Sequence, residues 1–63
     1  MTNGPELRKY RRDRDVSVVG VARLMGRSRA TVHKYEGEFA VDPDVAEAYK
    51  AAVDALVAAK GNQ

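Results

Sequence analysis

Arg29, Ala30, His33 and Lys34 are spaced i, i+1, i+4 and i+5, which places all four on one side of a helix. An arginine presents a planar fork that can meet the O6 and N7 acceptors of a guanine together, and an alanine offers a small apolar group to a thymine methyl. Histidine can donate or accept at a base edge or a phosphate, and lysine suits either as a point charge. Ser28 and Thr31 add hydroxyls to the same stretch, and Arg27, Arg23 and Arg12 add cations of the kind that neutralise phosphates. Each of these residues also has an ordinary reading as solvated surface charge or as a helix former. The cluster is informative only if the chain places it on an outward face.

Other chemistry finds little support in the 63 residues. The chain has no cysteine, hence no disulfide and no thiolate metal site, which suits a reducing cytoplasm. A single histidine without a carboxylate cluster cannot build a metal centre, so no cofactor is expected. No nucleophile with a base, carboxylate pair in a cleft or phosphate-cradling glycine loop is visible, and an enzyme is the least favoured class. No small-molecule ligand is expected. The apolar runs are too short to span a membrane, and the polar beginning lacks a signal-peptide core. The sequence reads as a soluble, intracellular protein.

Charge is divided unevenly along the chain. Residues 1–37 carry nine cations against four carboxylates, and residues 38–63 carry two against five, for net charges of +5 and −3. A polyanion is drawn to the first half, and the second half faces away from it.

The elements that must position the cluster follow from punctuation and period. Pro5, Glu6, Leu7 and Tyr10 start a first helix that runs to about Arg14 and ends at Asp15 and Val16. Ser17 is an N-cap, with Val18, Val21, Ala22 and Met25 on one face of a second helix closed by Gly26. Ser28 caps a third helix, 29–36, with Val32 and Tyr35 as its inward stripe and Gly37 as a left-handed end. Asp42 and Pro43 open a last helix over 42–60 with Val45, Tyr49, Ala52, Val53 and Leu56 on one side. The valines, Leu7, Tyr10, Met25 and Tyr35 are core by default. If Val32 and Tyr35 point inward, then Arg29, Ala30, His33 and Lys34 face out. Two helices of about eight residues joined by a glycine turn have the spacing of a helix-turn-helix.

These residues resemble the Cro/repressor-type, or XRE-like, helix-turn-helix family. The likeness is carried in register by Ser17, Val21-Ala22, Met25-Gly26, Ser28-Arg29, Thr31-Val32 and Tyr35-Glu36-Gly37, with Leu7, Tyr10 and Arg11 in helix one, over roughly residues 5–37. The chain departs from the family pattern at several positions. Val18 replaces a glutamine that caps the helix and touches a phosphate, Val19 is an unusual surface valine, Arg27 replaces an apolar turn residue, and Asp15 replaces a glycine. Two short helices usually follow helix three, whereas residues 43–60 read as one continuous helix.

The resemblance implies an all-α, lambda-repressor-like bundle of four helices, or five if the last segment breaks. This would be one domain over residues 1–63, with 5–37 as helix one plus the helix-turn-helix. It implies sequence-specific binding to double-stranded DNA as a small repressor or Cro-like regulator in the cytoplasm of a bacterium or a phage-infected host. Base edges fall to Arg29, Ala30, His33 and Lys34, and phosphates to Ser28, Thr31, Arg27, Arg23 and Arg12. Arg11 and Glu36 occupy family positions where an ion pair recurs. The apolar side of the last helix, Val45, Tyr49, Val53 and Leu56, packs within the chain or forms a homodimer. The alternatives are an excisionase-like recombination factor, which normally adds a basic β-wing, and a protein-interaction module on the same scaffold.

Overall fold

The computed structural model describes residues 2–61. Four helices account for the regular structure among them: α1 (Gly4–Asp13), α2 (Val18–Met25), α3 (Arg29–Glu36) and α4 (Pro43–Gly61). There is no strand among the described residues. The segment from Pro43 is one unbroken helix of 19 residues, so there is no fifth helix among the described residues.

Each helix start has a side chain that satisfies a backbone N–H left without an intrahelical partner. Ser17 Oγ accepts from the Gly20 N–H at 3.1 Å, and Ser28 Oγ accepts from the Thr31 N–H at 3.2 Å. Asp42 Oδ1 accepts from the Asp44 N–H at 2.9 Å. Helix α1 begins one residue earlier than Pro5 suggests, because Asn3 caps it, accepting from the Glu6 N–H at 2.8 Å.

The first two helices end alike, and the third does not. At the end of α1, Asp15 takes a left-handed φ of 57°, and the Asp15 and Val16 N–H groups return to the carbonyls of Arg12 and Arg11. At the end of α2, Gly26 has φ 68°, and the Gly26 and Arg27 N–H groups return to Arg23 and Ala22. In such endings the residue after the left-handed one commonly packs back on the helix. Val16 does so and is buried; Arg27, in the equivalent place, is exposed. Gly37 corrects the expectation of a third left-handed end. Its φ of −95° and ψ of −4° continue the right-handed turn, which carries the chain to α1, where the Glu38 carbonyl accepts the Gly4 N–H at 2.6 Å.

The core draws on every helix. Leu7, Val21, Val32, Tyr49 and Val53 are fully buried, joined by Val16, Ala22, Val41, Ala46 and Ala52. Two apolar expectations need correction. Tyr35 is only half-buried, and the second inward position of α3 belongs to Glu36, one turn after Val32. Val57, a valine expected in the core, lies at the surface, whereas Val19 is exposed as expected.

Two glycines permit close helix crossings. A side chain at Gly4 would fall within 3.0 Å of the Tyr35 and Glu36 carbonyl oxygens, so α1 meets the end of α3 backbone to backbone. Gly20 lets α2 approach Leu56 of α4, whose Cδ1 stands 3.0 Å from where a Cβ would be.

Candidate nucleic-acid interface

Helix α3 is held from behind and presented in front. Val32 anchors it in the apolar core, and Glu36, one turn on, anchors it through charge. The Glu36 carboxylate receives Arg11 twice, Nε to Oε2 at 2.8 Å and Nη2 to Oε1 at 3.3 Å, and also the Tyr49 hydroxyl at 2.5 Å on Oε2. Arg11 also donates through Nη1 to the Val16 carbonyl at 2.9 Å. One guanidinium therefore ties α1, the α1–α2 turn and α3 together, with α4 joined through Tyr49.

The electrostatics of this cluster follow from its hydrogen bonds. Burial alone would push the Glu36 carboxyl up, but hydrogen bonds from Arg11 and Tyr49 and the Arg11 charge hold it below the usual carboxylate range. Burial, together with donation to that carboxylate, pushes the Tyr49 phenol well above its ordinary value. Burial works against the Arg11 charge, yet its bonds to Glu36 leave the guanidinium more firmly protonated than in water. The ion pair has side-chain exposures of 12% and 5%, so solvent screens it little.

With its inner face fixed, α3 turns Arg29, Ala30, His33 and Lys34 outward, all four exposed. Ion pairs among the described residues are confined to Arg11–Glu36 and Lys60–Asp15, so none of Arg29, His33 and Lys34 forms an ion pair with a carboxylate. The Ser28 and Thr31 hydroxyls lie 3.0 Å apart at the start of α3 and are committed to its cap, though each keeps acceptor capacity. Arg27 precedes that cap and Arg23 lies on α2, both exposed. Arg12 is exposed on α1, away from the outward face of α3 and beside Arg8 and Lys9. The structure thus gathers the four residues suited to base edges on one surface and spreads the arginines over three elements.

In α4, Tyr49 and Val53 are fully buried within the chain itself, while Val45 and Leu56 are half-buried against the same core. Two features here escaped sequence reasoning. The Tyr49 hydroxyl completes the Arg11–Glu36 cluster from 13 residues beyond Glu36. The general need of a buried phenol for a partner was the available signal, but it does not name the partner. The Tyr10 hydroxyl donates to Asp54 at 2.5 Å, with the Arg14 guanidinium 3.5 Å over its ring, so Tyr10 links α1 to α4 at the rim of the core.

A family model described as a helix-turn-helix domain matches residues 4–59. No curated protein and no solved structure matches the chain. No helix among the described residues is long and apolar enough to cross a membrane.

Proposed function

The chain belongs to the helix-turn-helix domain family, and on that premise we propose that it binds duplex DNA sequence-specifically as a small transcriptional regulator of the repressor or Cro-like type. Helix α3 lies in the major groove with its N-terminal end toward the base edges. Arg29 reads a guanine, Ala30 a thymine methyl, and His33 and Lys34 further base edges, while Ser28, Thr31, Arg27 and Arg23 hold phosphates. The observation that carries this reading is the outward face of α3. It bears three side chains able to donate hydrogen bonds, without a carboxylate partner, on a helix whose inner face is fixed by Val32 and by the Arg11–Glu36–Tyr49 cluster.

Two copies bind together on DNA. A single reading helix spans few base pairs, whereas a twofold pair places two such helices about 34 Å apart, one turn of DNA. In vitro selection from a random duplex pool tests both parts. We expect a consensus made of two inverted half-sites. A pool that stays random after selection overturns sequence-specific binding, and a single unrepeated half-site overturns the pairing.

A further inference from the structure

The strongest unassigned feature lies on α1. Pro5, Arg8, Lys9, Arg12 and Asp13 form one stripe of that helix, and with Glu36 of α3 they line an open groove. A second depression adjoins it, lined by Arg8, Arg11, His33, Glu36 and Gly37, so Arg8 and Glu36 border both and the trough runs from α1 to His33 on α3. Of its two acids, Glu36 is bound by Arg11 and Tyr49, and Asp13 is exposed at its edge, one carboxylate against three cations. Arg8, Lys9 and Arg12 are exposed and have neither an ion pair nor a side-chain hydrogen bond among the described residues. The first depression, about 590 Å³, falls within the size of small-molecule pockets, but those are mostly apolar, whereas three cations line this one.

We infer that this trough is a second DNA-backbone site, in which Arg8 and Arg12, with Lys9 beside them, hold phosphates of a strand that leaves the major groove past His33. The inference rests on α3 being the reading helix and extends the footprint from α3 onto α1. The trough carries no sequence information, since guanidinium and ammonium groups on an open surface meet phosphate oxygens whatever the base. Its contribution is affinity and salt sensitivity.

The test is the salt dependence of binding, measured by anisotropy on a duplex recovered by selection and on a random duplex. Removing one phosphate-binding cation lowers the slope of log K against log salt by about 0.9, so Arg8→Gln/Arg12→Gln lowers it by about 1.8 on both duplexes and leaves base preferences intact. Lys50→Gln serves as the charge control. Lys50 lies beside the Tyr10 ring, on the opposite flank of α1 from Arg8 and Arg12, and its removal leaves the slope unchanged. Uncharged methylphosphonates placed singly along the selected duplex then locate the site. Those that weaken the wild-type chain but not the double variant mark the phosphates held by the trough. If the double variant melts below wild type, Arg8→Gln alone is read, with a slope change of about 0.9. An unchanged slope in a variant that still selects its site overturns the trough alone, as does an equal loss with Lys50→Gln. A wild-type chain with no preferred duplex overturns the reading of α3.

Discussion

At the scale of single residues, the two groups of cations in this chain do different physical work. Arg11 is spent inside: its guanidinium donates to the Glu36 carboxylate, the Val16 carbonyl and the Tyr49 hydroxyl. Replacing it with methionine leaves the Glu36 carboxylate in a site 5% exposed with the Tyr49 hydroxyl alone. Such a loss costs about 3 kcal/mol in thermal or denaturant unfolding. The same cluster sets the acid limit. The Glu36 carboxyl is held below its unfolded value of 4.5, so its contribution is present above about pH 4.5 and is lost as pH falls through the lower folded value. We expect Glu36→Gln to be less stable near neutrality but to lose less on acidification, and a parallel acid profile for wild type and variant would contradict the cluster's role. Arg29 and Arg27, by contrast, are exposed without carboxylate partners. Arg29→Ala should weaken binding to the selected site by about 1 to 3 kcal/mol and relax one base position. Arg27→Ala should weaken selected and random duplexes alike and lower the salt slope by about one. Equal losses on both duplexes for Arg29→Ala would remove it from the reading set.

At the scale of helices, what was legible in the sequence was local. Ser17, Ser28 and Asp42 announce caps because a short oxygen-bearing side chain before an apolar period has few other uses, and Gly26 announces a left-handed end because a side chain is penalised there. Outward placement of Arg29, Ala30, His33 and Lys34 follows from Val32 and Tyr35 as the inward stripe, and it holds on Val32 although Tyr35 is only half-buried. The misreadings arise where a distant element decides. Gly37 resembles Gly26 in sequence, but its conformation is set by the return of the chain to the start of α1. Tyr35 looked inward on hydrophobicity, yet Glu36 goes inside because Arg11 and Tyr49 wait there. Gly4 passed without notice, since nothing nearby in sequence shows that α3 carbonyls press on it. Adding one methyl at Gly4 forces α1 away from the Tyr35 and Glu36 carbonyls. Gly4→Ala should therefore destabilise the chain by about 1 to 3 kcal/mol, although alanine favours helix more than glycine. A melting midpoint at or above wild type would show that α1 can shift without cost.

For the molecule as a whole, the decisive question is how much apolar surface remains after the chain has covered itself. The sequence offers a long apolar side on α4, enough to suggest a dimer in solution. In the structure Tyr49 and Val53 have no exposure and Leu56 packs over Gly20, which leaves Val57, at 38% exposure, on α4, with Val19, Leu24 and Phe39 the other exposed large apolar side chains among the described residues. We therefore expect sedimentation equilibrium at tens of micromolar to give a mass near 6.9 kDa. Pairing then appears only on DNA, as cooperative filling of two half-sites. Because the contact depends on both copies lying on the same side of the duplex, inserting half a turn between the half-sites should abolish the cooperativity while each half-site keeps its own affinity. Val57→Asp should leave that single-site affinity unchanged. A solution mass near twice that of the chain, lost in Val57→Asp, would instead place the twofold contact on α4.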